Sequence, residues 1–467
     1  MSRRLLLLCY FYPPLGGGGV HRALGFTRWL PRHGWDCTVV CAGPEDYWVK
    51  DETLAGQIPP ETEVIRVPGG SALSAWLGLV RGVTRVAGRS APAASGEPGS
   101  AGRRSGLVFG GLRLLSDWML LPDSYAGWAR RARRVAAARL ERGDVTALLS
   151  SSPPDSVHLA ALPLARRFGL PWVADFRDPW IGLHFRRPPT AWHAARQREL
   201  ERRVLTGADL VLAASRTHAD DLESDPDARP RRVAHLPNGY QPDATSTSPS
   251  AGGDGPRDPQ HFTLVYSGTL SLMPDAEVLF EALHQVLAQR PEARRRIRVR
   301  LAGPFDTDYE DRAVALGLKG IVEFLGPIAH GEARALQRSA DLLLLWKPRG
   351  YRTMVPGKTY EYLDAGRPIV ALLEADDEAA RLVRRAGAVC LPPGDREALA
   401  AEIERRYLAW KEGSGTAART TAARPEWLDE HTRPRLAARL AGLLDALVAP
   451  SGGATPPGQR GAEGVTR

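Results

Sequence analysis

The sequence predicts an α/β protein: two Rossmann-like, doubly wound parallel-sheet domains that face each other across a cleft. Three observations carry this. Short apolar runs alternate with helix-length amphipathic segments from Leu5 to Leu391, the pattern of parallel strands covered on both faces. The alternation pauses at a Ser/Gly/Pro/Asp-rich stretch, residues 243–260, and restarts at Phe262. A glycine turn follows the first strand of each half: Gly16 to Gly19 after Leu5–Tyr10, and Gly268 after Phe262–Tyr266. Folds of this class bind ligands beyond the carboxyl ends of their strands, where glycine lets backbone N–H groups come close.

The totals agree with this. A chain of 467 residues suggests two or three domains, and 43% hydrophobic content suffices for full cores. The formal charge of +9, mostly arginine, fits phosphate-bearing partners or an anionic membrane surface. A genome that favours arginine codons would give the same excess. Cys9, Cys37, Cys41 and Cys390 all fall in expected strands without a Cys-x-x-Cys pair. They read as small core residues of a cytoplasmic protein, not as a disulfide framework or metal site. No apolar run approaches the ~18 residues that span a bilayer. No ligand cluster for a metal stands at suitable spacing, no cofactor is expected, and nucleic acid is not an expected partner.

Taken in order, Leu5–Tyr10 is the first strand. Reading Gly17-x-Gly19-x-x puts Arg22 where a dinucleotide fingerprint needs Gly or Ala, which argues against a nicotinamide enzyme. Val20–Arg32 is an amphipathic helix ended by His33-Gly34, and Trp35–Ala42 and Thr62–Val67 are strands. Residues 71–122 form an insertion. Its two segments carry Trp76 and Trp118 beside Arg81, Arg85 and Arg113, around an Ala/Gly/Ser/Pro-rich stretch expected to be disordered. Such segments either lie on anionic membrane or pack on their own domain. Ala147–Ser151 is a strand, and the turn Ser152-Pro153-Pro154 opens a helix that carries His158. Strand Trp172–Phe176 delivers Asp175, Arg177 and Asp178 to its carboxyl end. Two acids flanking an arginine are expected to pair with it. Ala191–Leu205 reads as a charged, solvated helix, Asp209–Ala214 as a strand, and Ser215 as a helix cap. Pro237-Asn238-Gly239-Tyr240 is a turn near the end of the first domain, 1–242.

In the second domain, 261–423, strands at Arg298–Ala302, Val322–Leu325 and Ala340–Trp346 lead to the most informative stretch, Val355–Val370. Pro356-Gly357 breaks the chain, and a helix starts at Lys358 and stops at Gly366. Pro368 bars its extension, so Ile369–Leu373 is a strand. Lys358, Glu361, Tyr362 and Ala365 are three or four apart and share a face. Unpaired first-turn N–H groups and the Lys358 ammonium suit a diphosphate, and Glu361 suits sugar hydroxyls. Together they describe a nucleotide-diphosphate-sugar site, although a solvated Lys–Glu pair has the same spacing. Helices within 424–449 are expected to cross back to the first domain, and residues 450–467 to be disordered.

The Lys358–Gly366 helix, the Pro13–Arg22 loop, the run Ser151–His158 and Asp175-Phe176-Arg177-Asp178-Pro179-Trp180 together resemble the family 4-like (group 1) glycosyltransferases of GT-B fold. The branch is the one with Asp-Phe-Arg-Asp-Pro-Trp and Lys-x-x-Glu-Tyr motifs, and the likeness covers roughly residues 4–70, 145–240 and 262–440. It implies an acceptor-side first domain and a donor-binding second one. The activity implied is transfer of a sugar, with retention, from a UDP- or GDP-linked donor to a hydroxyl of a saccharide, lipid-linked or small-molecule acceptor. Polysaccharide, cell-envelope or glycoconjugate biosynthesis is the setting, at the cytoplasmic side and with peripheral membrane contact left open. Glu361 would hold the nucleotide ribose. Lys358, Gly17, Gly18, Gly19 and Gly268 would hold the diphosphate, with Tyr362 in the same site. Asp178, Arg177 and His158 would lie near the transferred sugar or acceptor. The sequence departs from the family three times: Leu272, Met273, Pro274 and Asp275 fill the region where many members carry an Arg…Lys phosphate pair, Thr353 stands where the first of two glutamates usually falls, and Arg177 where many members carry histidine. Two other classes stay open: a nucleotide-sugar epimerase on the same fold, and a non-catalytic scaffold.

Overall fold

The computed structural model describes residues 3–43, 50–70, 121–182, 188–242, 258–270, 275–305, 308–413 and 424–449. Most of the expected insertion and linker, and the whole tail from 450, lie outside these residues.

Two all-parallel sheets form two lobes. The first contains β1 (Arg3–Cys9), β2 (Trp35–Ala42), β3 (Glu63–Val67), β4 (Ala147–Ser152), β5 (Trp172–Phe176), β6 (Leu210–Ala213) and β7 (Val233–His235), in the order β3-β2-β1-β4-β5-β6-β7. The second contains β8 (Phe262–Ser267), β9 (Ile297–Ala302), β10 (Val322–Gly326), β11 (Leu342–Trp346), β12 (Ile369–Leu372) and β13 (Val389–Leu391), in the order β10-β9-β8-β11-β12-β13. The helices are α1 (Val20–Trp29), α2 (Glu52–Ala55), α3 (Ala126–Leu140), α4 (Ser156–Phe168), α5 (Ala191–Gly207), α6 (Arg216–Ser224), α7 (Asp275–Gln289), α8 (Asp308–Ala315), α9 (His330–Ser339), α10 (Gly357–Ala365), α11 (Glu378–Arg385), α12 (Arg396–Glu412) and α13 (Arg433–Val448). The expected fold class is the observed one.

β1 sits between β2 and β4, with Leu5 opposite Cys37 on one side and Ala147 on the other. Its leucines are fully buried on both faces, so an unbroken apolar run, not an alternating one, is what the position demands. Strand order reverses between β1 and β4 and again between β8 and β11. These are the switch points where crevices open at the carboxyl ends of α/β sheets. The tetraglycine loop leaves β1 and Gly268 leaves β8, so each lobe aims a glycine turn at its own crevice.

Two helices differ from expectation. α1 stops at Trp29, and Leu30–His33 tightens into a 3-10 turn ended by Gly34 at φ 76°. Pro31 lacks the N–H that an α-helix would use there. α5 is not solvated all round: His193, Gln197, Leu200, Val204 and Leu205 are buried along one side. Trp180 Nε1 donates to the Gln197 carbonyl (2.7 Å), and the Gln197 amide donates to the Pro122 carbonyl (2.8 Å).

α13 returns to the first lobe. Leu436, Leu440 and Leu444 share a core with Leu5, Leu7, Phe26 and Leu30. Asp445 accepts from Trp35 Nε1 (2.7 Å) and pairs with Arg3 (2.7 Å). The lobes also touch at α6, whose first N–H groups, Arg216 and Thr217, donate to the Glu378 carboxylate (2.8 and 2.7 Å). Arg352 of the second lobe pairs with Asp221 nearby (2.7 Å). Cys9, Cys37 and Cys41 are buried free thiols and Cys390 is half-buried. Burial pushes Cys37 and Cys41 up to about 12. No helix among the described residues is long and apolar enough to cross a membrane.

Candidate functional site

The site is built around α10. Pro356 precedes the helix in extended conformation, and no side chain caps its first turn, so that end keeps its positive dipole for a ligand. Gly366 closes the helix at φ 62°, a backbone that glycine adopts without strain.

Lys358 lies on the first turn. Its ammonium sits 3.7 Å from the centre of the Tyr266 ring, which itself stacks on Trp346 at 4.1 Å. A Cβ on Gly268 (φ 142°) would stand 2.9 Å from Lys358 Nζ, and a Cβ on Gly303 would stand 2.1 Å from the Gly268 carbonyl oxygen. The backbone leaving β8 is therefore threaded between Gly303 and the ammonium, with no room for side chains. Burial holds the Lys358 pKa down to about 7, opposed by the charge of Glu361.

Glu361, one turn on, points toward α9. Its Oε1 accepts from His330 Nε2 (3.0 Å) and its Oε2 from Gln337 Nε2 (3.1 Å). Its backbone carbonyl accepts from Arg334 (2.8 Å), which also pairs with Asp364. Burial works to raise the Glu361 pKa. The His330 hydrogen bond and the surrounding positive groups overcome it and hold the carboxyl well below its usual range. The His330 ring is 4.2 Å from that of His21, which belongs to α1 just beyond Gly19. Burial keeps His21 well below the usual histidine range, hence neutral.

On the first-lobe side, Gly17 has φ 85°, and a Cβ on Gly18 would meet nothing within 4 Å. A Cβ on Gly19 would lie 2.7 Å from the Arg177 guanidinium. Arg177 pairs with Asp178 at 3.3 Å. The structure corrects the other expected pairing. Asp175 does not bind Arg177: it takes a two-pronged contact from Arg22 (2.9 and 2.6 Å) and a hydrogen bond from Ser151 (2.7 Å). Asp175 is buried inside β5 while Arg177 lies beyond the strand end, so only a guanidinium reaching in from α1 can neutralise the carboxylate.

The remaining candidates lie deeper. Tyr362 is fully buried, and its hydroxyl accepts from the Ser267 N–H (2.8 Å), which braces the end of β8. His158 is also fully buried. Its Nδ1 meets Ser150 Oγ (2.8 Å) and its ring stacks on Phe176 (4.5 Å). Burial pushes its pKa down to about 3, so it is a neutral side chain of the layer between sheet and helix.

Sequence reading missed His21, His330, Arg334, Gln337 and Arg433. Arg433 opens α13 and lays its stem against Gly25, where a Cβ would come within 2.7 Å of its Cδ. Burial lowers its pKa to about 10, opposed by the charge of Glu361. His330, Arg334 and Gln337 are four and three residues apart on one helix, a shared face that the spacing alone could have revealed. Among the described residues no three His, Cys, Asp or Glu side chains gather as a metal site.

Residues 17–239 match the family described as glycosyl transferase 4-like domain, and residues 261–408 the family described as glycosyl transferases group 1. No curated protein matches the chain by sequence. Among solved structures it is similar to sucrose-phosphate synthase from Thermosynechococcus elongatus (16% identity, TM-score 0.63, covering 96% of this chain and 100% of that one). It is likewise similar to a glycosyltransferase from Rickettsia africae (13%, 0.59, 97% and 100%). A third is WaaG, a glycosyltransferase involved in lipopolysaccharide biosynthesis (16%, 0.58, 96% and 100%). At such identities the structures speak to the fold alone. With a 4-like domain followed by a group 1 domain, one on each sheet, the chain is a GT-B-fold glycosyltransferase.

Proposed function

We propose that the chain moves a sugar, with retention, from a UDP- or GDP-linked donor to the hydroxyl of a saccharide, lipid-linked or small-molecule acceptor, in polysaccharide, cell-envelope or glycoconjugate biosynthesis. One observation carries this reading. Lys358 and Glu361 stand one turn apart on an uncapped helix at the switch point of the second sheet. The first packs against the Gly268 backbone, and the second sits where His330 meets His21. In this reading the diphosphate lies on the Gly268 backbone and the first turn of α10, with Lys358 offsetting its charge. As the bond from the sugar C1 to the diphosphate oxygen breaks, charge grows on the leaving group; the acceptor oxygen bonds to C1 and its hydroxyl proton passes to the departing diphosphate oxygen. Fixed donors aimed at that charge supply the main catalytic effect. Glu361 accepts from ribose hydroxyls. Gly17, Gly18 and Gly19 bring the first lobe's backbone to the phosphates, while Arg177 and Asp178 serve the sugar or acceptor. His158 supports them from behind Phe176. No metal or cofactor is assigned a part. The location proposed is cytoplasmic, with peripheral contact to anionic membrane, which the exposed Arg130, Arg131, Arg133 and Arg134 of α3 support.

Thermal-shift measurements with UDP, GDP and their sugars test the reading. Wild type should be stabilised by one nucleotide series, and Lys358→Ala and Glu361→Ala should each abolish the shift. Absence of any shift in wild type, or an unchanged one in both variants, would refute the site. Incubation with a UDP-sugar alone should yield no epimer; an epimer would make the chain an isomerase.

A further inference from the structure

We infer that His330 is a positioning residue that makes the orientation of Glu361 depend on contact between the two lobes. The inference rests on the donor-site reading above.

Three contacts converge on His330. Its backbone N–H donates to Asp51 Oδ2 of the first lobe (3.2 Å). Its ring lies 4.2 Å, centre to centre, from His21 of the first lobe. Its Nε2 lies 3.0 Å from Glu361 Oε1. An ionised carboxylate only accepts, so the Nε2 proton points at Glu361. Among the described residues the carboxylate has one other side-chain hydrogen bond, from the Gln337 amide, whose second hydrogen goes to Ser267 Oγ (2.9 Å). That support lies wholly within the second lobe. Of the two side chains that hold Glu361, then, one is fixed by its own domain and the other is gripped from across the cleft. Each carboxylate oxygen has a second lone pair for a ribose hydroxyl. A carboxylate held at both oxygens presents that lone pair in one direction; held only by Gln337 it can rotate. His330 thus acts through Glu361 and touches no substrate itself. Its predicted signature is on donor affinity, because ribose binding is the same in the ground and transition states.

The test uses the full chain, with UDP and GDP as calorimetric probes. His330→Ala should weaken binding of the preferred nucleotide about tenfold, the scale of one charge-assisted hydrogen bond. His330→Gln keeps a donor of similar reach and should stay within about threefold of wild type. In turnover assays His330→Ala should raise the donor KM and leave kcat nearly unchanged. His21→Ala should weaken nucleotide binding in the wild-type background and add nothing in the His330→Ala background. Equal losses in His330→Ala and His330→Gln, or no loss in either, would overturn the inference. So would a His21→Ala loss of the same size in both backgrounds. If wild type binds neither UDP nor GDP, the donor-site reading falls and takes this inference with it. If wild type binds and Lys358→Ala abolishes binding while His330→Ala does not weaken it, only the part given to His330 is lost.

Discussion

Raising the pH from 7 to 9 should weaken nucleotide binding, through Lys358. Burial brings this lysine down to about 7, so at neutral pH roughly half of the ligand-free molecules carry the ammonium and at pH 9 about one in a hundred do. A diphosphate beside Nζ favours the charged form, and binding above neutrality must therefore take up a proton. Affinity then falls by up to about tenfold, ~1.4 kcal/mol, for each pH unit until the pKa of the complex is reached. The free protein follows the opposite trend. A lysine whose pKa is lower folded than unfolded binds fewer protons in the native state, so its contribution to stability improves as pH rises from 7 toward the ordinary lysine range near ~10.4. Calorimetric titration with a UDP- or GDP-sugar, in two buffers of different ionisation heat, counts the protons directly. Uptake should climb from near zero at about pH 6 to nearly one at about pH 9. Glu201, raised to about 8 by burial and by the nearby Asp155, titrates in the same window, and Lys358→Met keeps it. Any binding that this neutral side chain, longer than alanine's, retains should be weaker and have a flat pH profile. A flat wild-type profile between pH 7 and 9, or the same slope in Lys358→Met, would refute the assignment.

Other substitutions probe the surroundings. Asp175→Asn leaves the buried Arg22 without its counter-charge and should cost about 3–5 kcal/mol in urea unfolding. Gly303→Ala should lower the melting temperature more than Gly268→Ala, because its Cβ meets a carbonyl oxygen at 2.1 Å whereas that of Gly268 meets the flexible end of Lys358 at 2.9 Å. Gly268→Ala should nevertheless abolish nucleotide binding by displacing the ammonium. Glu201 has a raised native pKa, so its contribution to stability is present below pH 4.5 and lost as pH rises through about 8. Glu201→Gln should therefore melt higher than wild type at pH 9 and alike at pH 4, by scanning calorimetry.

What could be read from the sequence is what is local. The central strands announce themselves because both faces are covered: Leu5–Leu8 and Leu342–Trp346 are buried throughout. The helix at Lys358 is framed by its own Pro and Gly, and its Lys–Glu spacing is a property of nine consecutive residues. α5 was harder. Its buried side uses His193 and Gln197, and polar residues are buried there only because Trp180, Thr190 and the Pro122 carbonyl need partners, a demand that periodicity does not show. Pairings across the fold were out of reach. Arg22 and Asp175 are 153 residues apart, and Glu361 finds His330 and Gln337 at separations of 31 and 24. In such cases topology decides which cation meets which carboxylate, and Asp175 had a nearer arginine in sequence that the strand end kept from it.

The two charges of α10 can divide their tasks because the helix itself is pinned. Its last turn is held at Asp364, which pairs with Arg334 from α9 and with Arg424 (3.0 Å), just upstream of α13. Tyr360 stacks on His431 (5.2 Å), in the segment that leads into α13 and so back to the first lobe. A helix of nine residues anchored in this way has little freedom to tilt. Lys358, turned toward Gly268, is set by the second lobe alone. Glu361, one turn later and rotated toward α9, is set by the second lobe and by whatever first-lobe surface His330 meets. A single turn of helix therefore separates a phosphate contact that exists in either lobe arrangement from a ribose contact that is complete only when Asp51 and His21 are in place. On this geometry the Lys358 share of phosphate binding should be the same whether the lobes touch or not, while the first lobe is sensed through Gly17 to Gly19 at the phosphates and through Glu361 at the nucleoside.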